Sequence, residues 1–274
     1  MSRIQLLVSG VNQDTVALPR KMNIQSDAVI VNQCKENQTF ENEYTDIFGR
    51  ICSIKCLHRN ERGVGLSRNL ALDNADHEFL QFADEDIVYD DGYTTLVENE
   101  FDKHPEADML LFNVKAAEGR ETYHNTDFAK VTWKNYGRYP AYAIVARTES
   151  LKRAGVRFST LFGGGAKYSN GEDSLFLHDC LKKGVRIYRT DIHLGHEVAD
   201  RPSTWFKGFN DKFFFDRGVL YHFLYGCLAV PMSLRFLLIK KDVMCRDKSV
   251  WECYRLMKKG IRQGKAEEKH TVSQ

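Results

Sequence analysis

The chain lacks several features that would assign it to a class of protein at once. Its 274 residues include seven cysteines, but there is no Cys-x-x-Cys pair and no Cys and His set at zinc-finger spacing. There is no internal repeat or low-complexity tract, and the apolar run Ile4–Val8 is too short for a secretory signal. These absences predict a cytoplasmic protein with reduced, mostly buried thiols.

A strong net charge is also missing. The formal charge is +2, which gives no case for nucleic-acid binding, and the 43% hydrophobic and 28% charged shares are those of a soluble globular protein. The charge is unevenly distributed, because residues 235–274 hold eleven Lys and Arg against five Asp and Glu. The C-terminal segment is therefore basic, and the rest of the chain is slightly acidic.

Short apolar runs alternate with helical patterns in the first half. The runs predict strands and the amphipathic segments between them predict helices, which together indicate an α/β fold with an open, mainly parallel sheet. Ligands of such sheets bind beyond the carboxyl ends of the strands. The predicted strands are Gln5–Val8, Ala28–Val31, Ile51–Leu57, Phe79–Ala83 and 108–114, and the predicted helices cover 65–75 and 91–105.

Three adjacent acids follow the fourth of these strands. Asp84, Glu85 and Asp86 repel one another, so water, a basic neighbour or a metal ion must offset the cost. Their oxygens suit Mg²⁺ or Mn²⁺, which commonly connect protein carboxylates to a substrate phosphate. The alternative is a solvated acidic turn, but the position directly after a buried strand favours a ligand site.

The second half contains a glycine loop followed by an acidic helix start. Gly163 to Gly165 let the backbone approach a ligand closely. Glu172 and Asp173 begin the next predicted helix, where the helix dipole alone would also favour negative charge. The other predicted elements are a strand over Tyr139–Ala146, a helix over Glu149–Ala154, and a strand over Val185–Ile192 that leads to His193 and His196.

Two stretches together resemble family-two glycosyltransferases, which have the GT-A fold. They are "ERGVGLSRNLALDNADHEFLQFADEDIVYDDGY" and "FGGGAKYSNGEDSLFLHDCLKKG", and the resemblance covers Leu6 to Trp205. "MNIQSDAVIVNQC" and "STWFKGFNDKFFFDRG" are similar to a subgroup from bacterial capsule and exopolysaccharide loci. The chain departs from the family at "VSGVNQD" and at Asn32-Gln33-Cys34, where typical members have an Asp that touches the base. Base recognition therefore does not carry over.

The resemblance implies an inverting, metal-dependent glycosyltransferase that uses a nucleotide-sugar donor. Asp173 would be the general base and Glu172 would help to position the acceptor, whereas Asp84, Asp86 and His196 would hold Mn²⁺ or Mg²⁺. For His196 the alternatives are His193 or an ordinary surface histidine, and for Arg68 the alternative is a solvated salt bridge. Contacts with the donor would come from Asp84, Glu85, Arg68, Asn69, Gly164 and Gly165.

We expect two parts, a GT-A domain at 1–210 and a helical, amphipathic and basic extension at 211–274. The apolar residues Val219–Val230 are fewer than the roughly 18–20 that a bilayer span needs. They suit a helix on the inner face of the cell membrane, where a lipid-linked glycan acceptor would be found. The alternative is a helix packed on the core and followed by a solvated basic tail.

Three other functions fit parts of the pattern. A metal-dependent nucleotidyltransferase would usually have an N-terminal glycine-rich loop with Arg and Lys, which "VSGVNQDTVALPRK" does not supply. A non-catalytic GT-A-like module that binds a nucleotide sugar would explain the altered Asn32-Gln33 segment. A metal-dependent phosphohydrolase would usually need more scattered His and Asp ligands.

Overall fold

Strands and helices alternate along the first half of the chain, as the sequence predicts. The computed structural model describes residues 2–198 and 208–272. Its strands are β1 (Ile4–Val11), β2 (Asp27–Gln33), β3 (Gln38–Thr45), β4 (Ile51–Arg59), β5 (Phe79–Asp84), β6 (Ile87–Tyr89), β7 (Met109–Lys115), β8 (Ala129–Lys130), β9 (Ile144–Arg147) and β10 (Ile187–Glu197). Its α-helices are α1 (Leu18–Lys21), α2 (Val64–Asp73), α3 (Tyr93–Lys103), α4 (Thr148–Ala154), α5 (Glu172–Lys182), α6 (Asp211–Tyr225), α7 (Ala229–Met244) and α8 (Val250–Val272).

The described strands form one mixed, mainly parallel sheet. Its order is β3-β4-β2-β1-β5-β9-β7-β10-β6, and β8 pairs with β10. Strands β1, β2, β4, β5, β7 and β10 run in one direction, and β3, β6, β8 and β9 run in the other. Because β1 lies between its parallel neighbours β2 and β5, the carboxyl ends of these strands meet at one edge of the sheet.

Apolar side chains cover both faces of the sheet. On β1, Leu7 packs into the core under α2, α4 and α5, whereas Leu6 and Val8 pack into the core under α1 and α3. Strands buried on both faces need nearly continuous apolar sequence. The "QLLV" and "AVIV" runs supply that sequence, so these strands alone predict the α/β class. The fold confirms the predicted α/β class.

Two details of the chain differ from the sequence-based expectation, and a third agrees with it. Residues Ala141–Ala143 after Pro140 form a 3₁₀ turn, and only Ile144–Arg147 is a strand. The edge strand β3 escaped prediction because its sequence, "QTFENEYT", is polar and largely exposed. The seven cysteines are free as expected, and four of them are buried.

Three helices follow residue 208. Helix α6 packs against α8 and also reaches α5, so the extension rests on the rest of the fold. By length and composition alone, the helical run Asp211–Met244 is able to cross a membrane. The apolar stretch Val219–Val230, on which the sequence-based expectation rested, is too short for a span. That run contains a 3₁₀ turn at Gly226–Leu228. The boundary at residue 210 stays a prediction.

Candidate functional site

The predicted acidic motif lies at the carboxyl end of β5. Asp84 is the last residue of that strand, and Glu85 and Asp86 form the turn that leads into β6. The Glu85 carboxylate accepts hydrogen bonds from the backbone N–H of Val11, at 2.5 Å, and from Nε2 of Gln13, at 2.9 Å. The motif is therefore joined to the end of the neighbouring strand β1, at the edge where ligands of α/β sheets bind.

The second predicted acidic pair lies at the start of α5. Gly171 precedes the helix with φ +119°, and Glu172 and Asp173 form the first turn. Asp173 is 24% exposed, and its carboxylate accepts a hydrogen bond from the backbone N–H of Ala141 in the 3₁₀ turn before β9. The pair is thus fixed by a second segment of the chain and is not a free helix end.

One buried arginine joins the two acidic groups. Arg68 in α2 is 4% exposed, and its Nη2 donates to Oδ1 of Asp84 at 2.9 Å. Its Nη1 donates to Oδ1 of Asp173 at 2.7 Å and contacts Oε1 of Glu172 at 3.4 Å. The guanidinium also lies over the Phe158 ring, 5.2 Å from its centroid. Arg68 is therefore buried and not solvated, and three carboxylates share its charge.

Burial and neighbouring charges shift the acid–base properties of this cluster. Burial raises the pKa of Asp173 to about 7, and Glu172 and Asp84 also raise it, whereas the Arg68 cation lowers it. The pKa of Asp86 is likewise raised to about 7, first by burial and then by Asp84 and Glu197. Two carboxyls of the cluster therefore exchange protons near neutral pH, which is common at functional sites.

The glycine loop packs on the start of α2. A side chain at Gly163, where φ is +104°, would meet Val64 and Glu172 at 2.6–2.7 Å. Gly164 accepts a hydrogen bond from the backbone N–H of Val64 at 2.9 Å and has open space where a side chain would be. Gly165, with φ +79°, approaches the backbone of Gly63. The loop is therefore held next to the Arg68 helix and beside Glu172.

Amide side chains near the site are used to hold the backbone. Asn69 donates to the carbonyl of Phe158 and accepts from its N–H, at 2.9 and 2.8 Å, so its amide supports packing and not the expected ligand contact. Asn32 makes the same type of pair with Gln13. Gln33 donates to the carbonyl of Gly63 at 2.9 Å. Asn32 and Gln33 thus fix two loops at this edge of the sheet.

A glutamate, not a histidine, lies beside Asp86. Glu197 is a neighbour of Asp86 whose charge raises the pKa of that carboxyl, and the backbone N–H of Val198 donates to the Asp86 carbonyl at 2.8 Å. His196 pairs with Val88 of β6, and successive strand residues point to opposite faces. His196 is exposed, and among the described residues it forms no metal-binding group with Asp84 and Asp86.

The two histidines line a different feature. With Lys115 and Glu197 they border a cavity of about 450 Å³, and Nδ1 of His193 contacts Oδ2 of Asp90 at 3.1 Å. The preference for His196 used its closeness to Ser203-Thr204-Trp205, which lies outside the described residues.

The carboxylates of Asp84 and Asp86 are the type of ligand that a hard cation prefers. Among residues 2–198 and 208–272, no three His, Cys, Asp or Glu side chains are arranged to hold a metal ion. Mg²⁺, however, is commonly bound by one or two carboxylates while phosphate and water oxygens complete its shell. The oxygen-only pair Asp84 and Asp86 fits that type of site.

Sequence reasoning missed two residues of this edge. Tyr142 is half-buried in the 3₁₀ turn, and its pKa is raised by burial and by the charges of Tyr123, Glu197, Asp84 and Asp173. Its hydroxyl therefore lies near both acidic groups. Glu197 follows His196 directly and is the last residue of β10, whereas the predicted strand ended at Ile192.

The fold is of the GT-A type. No family model matches the chain, and no curated protein matches it. The structure is similar to S. aureus TarS 1–349 in complex with UDP-GlcNAc, at a TM-score of 0.61 and 17% identity over 90% of this chain and 74% of that one. S. aureus TarS 1–349 in complex with UDP matches at a TM-score of 0.59 and 18% identity over the same shares. At this identity the likeness defines the fold.

Proposed function

We propose that this protein is an inverting glycosyltransferase that moves a sugar from a nucleoside-diphosphate donor to a glycan acceptor. The observation that supports this most is the Arg68 bridge. It brings Asp84, at a strand end, together with Glu172 and Asp173, at a helix start, on one guanidinium. The GT-A neighbours crystallised with UDP-GlcNAc and UDP favour a nucleotide-sugar donor.

Asp173 is the proposed general base. With a pKa of about 7 it is able to take the proton of an acceptor hydroxyl near neutral pH. That hydroxyl attacks the anomeric carbon as the bond from this carbon to the diphosphate oxygen breaks, so the configuration inverts and the nucleoside diphosphate leaves. Glu172, which is 12% exposed and lies beside the glycine loop, is the residue we propose to orient the acceptor.

Asp84 and Asp86 are the residues we propose to hold Mg²⁺ or Mn²⁺. A bound divalent ion would neutralise negative charge on the diphosphate. Glu85, Gly164 and Gly165, which lie at the same edge of the sheet, are the residues we propose to contact the donor. Arg68 acts in this proposal by holding Asp84 and Asp173, and not by touching phosphate.

The proposed acceptor is lipid-linked and belongs to bacterial surface polysaccharide synthesis of the capsule type. The support is on α7, where Leu238, Ile239 and Val243 are 52–60% exposed next to the exposed Lys240 and Lys241. Exposed apolar groups flanked by lysines suit peripheral binding to an anionic leaflet. Binding to anionic vesicles that salt weakens supports this part, and equal binding to neutral vesicles contradicts it.

The test is a screen of nucleotide sugars for binding and metal-dependent turnover, with wild type, Asp173→Asn and the control Asp179→Asn. Asp179 lies on the same helix with its side chain 50% exposed. We expect donor binding in all three and turnover reduced by at least about 10²-fold in Asp173→Asn only. Full turnover of Asp173→Asn contradicts the base assignment. Binding without turnover in wild type would instead favour a non-catalytic nucleotide-sugar-binding module.

A further inference from the structure

The segment between the glycine loop and α5 is hydrogen-bonded to the C-terminal helices. Asp216 of α6 is 2% exposed, and its Oδ2 accepts from the backbone N–H of Ser169 at 2.9 Å and from its Oγ at 2.5 Å. Lys212, one turn earlier on α6, donates to the same oxygen at 2.6 Å. A buried carboxylate that accepts three hydrogen bonds fixes the position of Ser169.

The preceding two residues are held from α8. The Tyr168 hydroxyl donates to Oε1 of Glu267 at 2.8 Å, and the Lys167 ammonium pairs with the same carboxylate. Further along, a side chain at Gly171 would lie 2.6 Å from Leu220 of α6. The C-terminal helices thus contact this segment from Lys167 to Gly171, immediately before the acidic helix start.

The two helices are themselves closely packed. A side chain at Gly218 of α6 would lie 2.1 Å from the carbonyl oxygen of Met257 in α8, and one at Gly260 would lie 2.0 Å from that of Phe215. Backbones that approach this closely leave little freedom for one helix to shift against the other. The hydrogen bonds from Asp216 and from Glu267 to this segment therefore come from one rigid helix pair, α6 and α8.

We infer that Asp216 is a positioning residue for the acceptor half of the site. Asp173 lies four residues after Ser169, and three flexible glycines precede the segment on its other side. Without the Asp216 carboxylate, the backbone N–H and the hydroxyl of Ser169 lose their common acceptor, and the segment before α5 is no longer held at Ser169. A displacement of about 1 Å in a catalytic group can cost about 10²-fold in rate. The inference rests on the proposed function.

The test compares Asp216→Ala and Asp216→Asn with Glu268→Gln, a control in which an exposed acid of α8 that pairs with His222 is changed. We expect kcat to fall about 10- to 100-fold in Asp216→Ala, with the dissociation constant of the donor within about 3-fold of wild type. Asp216→Asn keeps a carbonyl that accepts from Ser169, so it should restore part of the loss. Glu268→Gln should match wild type.

Hydrogen exchange of residues 168–173 supplies a readout that does not need activity. We expect faster exchange there in Asp216→Ala while the central strands stay protected. Unchanged exchange in this segment, or parallel losses of donor affinity and kcat, would overturn the inference. If Asp216→Ala does not fold, Ser169→Ala removes only the hydroxyl bond and should show a smaller change of the same kind. If wild type turns over no nucleotide sugar, the proposed function fails, and hydrogen exchange still decides the positioning role.

Discussion

Replacing Arg68 by Met tests the electrostatic centre of the site. The change keeps an unbranched apolar side chain near Phe158 but leaves Asp84, Glu172 and Asp173 without their shared cation. Removing one partner of a buried ion pair costs about 3–5 kcal/mol. The three carboxylates are 32%, 12% and 24% exposed, so water screens part of the penalty. We therefore expect the free energy of unfolding to fall by about 3 kcal/mol at pH 8, near the low end of that range.

The assay is urea unfolding of the whole protein, with Arg157→Met as the matched control. Arg157 also pairs with a carboxylate, Asp73, but both side chains are about half exposed. A surface pair of that kind contributes under about 1 kcal/mol. Arg68→Lys should lie between the two Met variants, because one ammonium cannot reproduce the forked contacts of the guanidinium.

The pH dependence separates charge from packing. Arg68 lowers the pKa of Asp173, so in Arg68→Met that pKa rises further above its ordinary value. The variant then takes up protons at a higher pH than wild type, and its deficit should shrink as the pH falls from 8 to 5. A loss in Arg68→Met equal to that of Arg157→Met, or a deficit that is the same at both pH values, would refute the reasoning.

Three further predictions address activity and local structure. Because the base must be ionised, kcat should rise with pH through about 7, the pKa of Asp173, and a flat rate between pH 5 and 8 would contradict its role. Gly163→Ala should lower the unfolding free energy by about 1–3 kcal/mol, because φ is +104° and the new side chain would clash with Val64. Gly164→Ala, where the space is open, should be nearly neutral. Equal melting temperatures of the two variants would show that the loop is not constrained at Gly163. Chelation should abolish donor binding measured by calorimetry, and binding that survives chelation would disprove the need for a cation.

Local patterns were enough to place the two acidic groups on their elements. A β-branched or aromatic run followed by Asp84, Glu85 and Asp86 predicted a strand ending in an acidic turn, and β5 ends at Asp84. The acids Glu172 and Asp173 ahead of a run with helical apolar spacing predicted a helix start, and α5 begins at Glu172. Both signals involve neighbours in the sequence, and a single sequence shows such relations directly.

Contacts between distant segments were not predictable in this way. Arg68 was expected to contact the donor, with a solvated salt bridge as the alternative, because its three carboxylate partners lie 16, 104 and 105 residues further along the chain. That Glu197 and not the adjacent His196 lies beside Asp86 depends on strand register, where one residue decides which face a side chain occupies. Tyr142 sits in a turn that was expected to be a strand. These features follow from how the sheet assembles.

The charge distribution of the site indicates the order in which the cation and the donor bind. The Arg68 guanidinium already pairs with Asp84, Glu172 and Asp173, so the ionised form of Asp86 adds negative charge that Arg68 does not meet, whereas the neighbouring Glu197 pairs with Arg120. A diphosphate that enters this edge brings further negative charge, and charges of like sign in a partly buried site repel strongly. Oxygen-only carboxylates at a strand end are what a hard divalent cation binds. The proposed donor should therefore bind after the cation, or together with it.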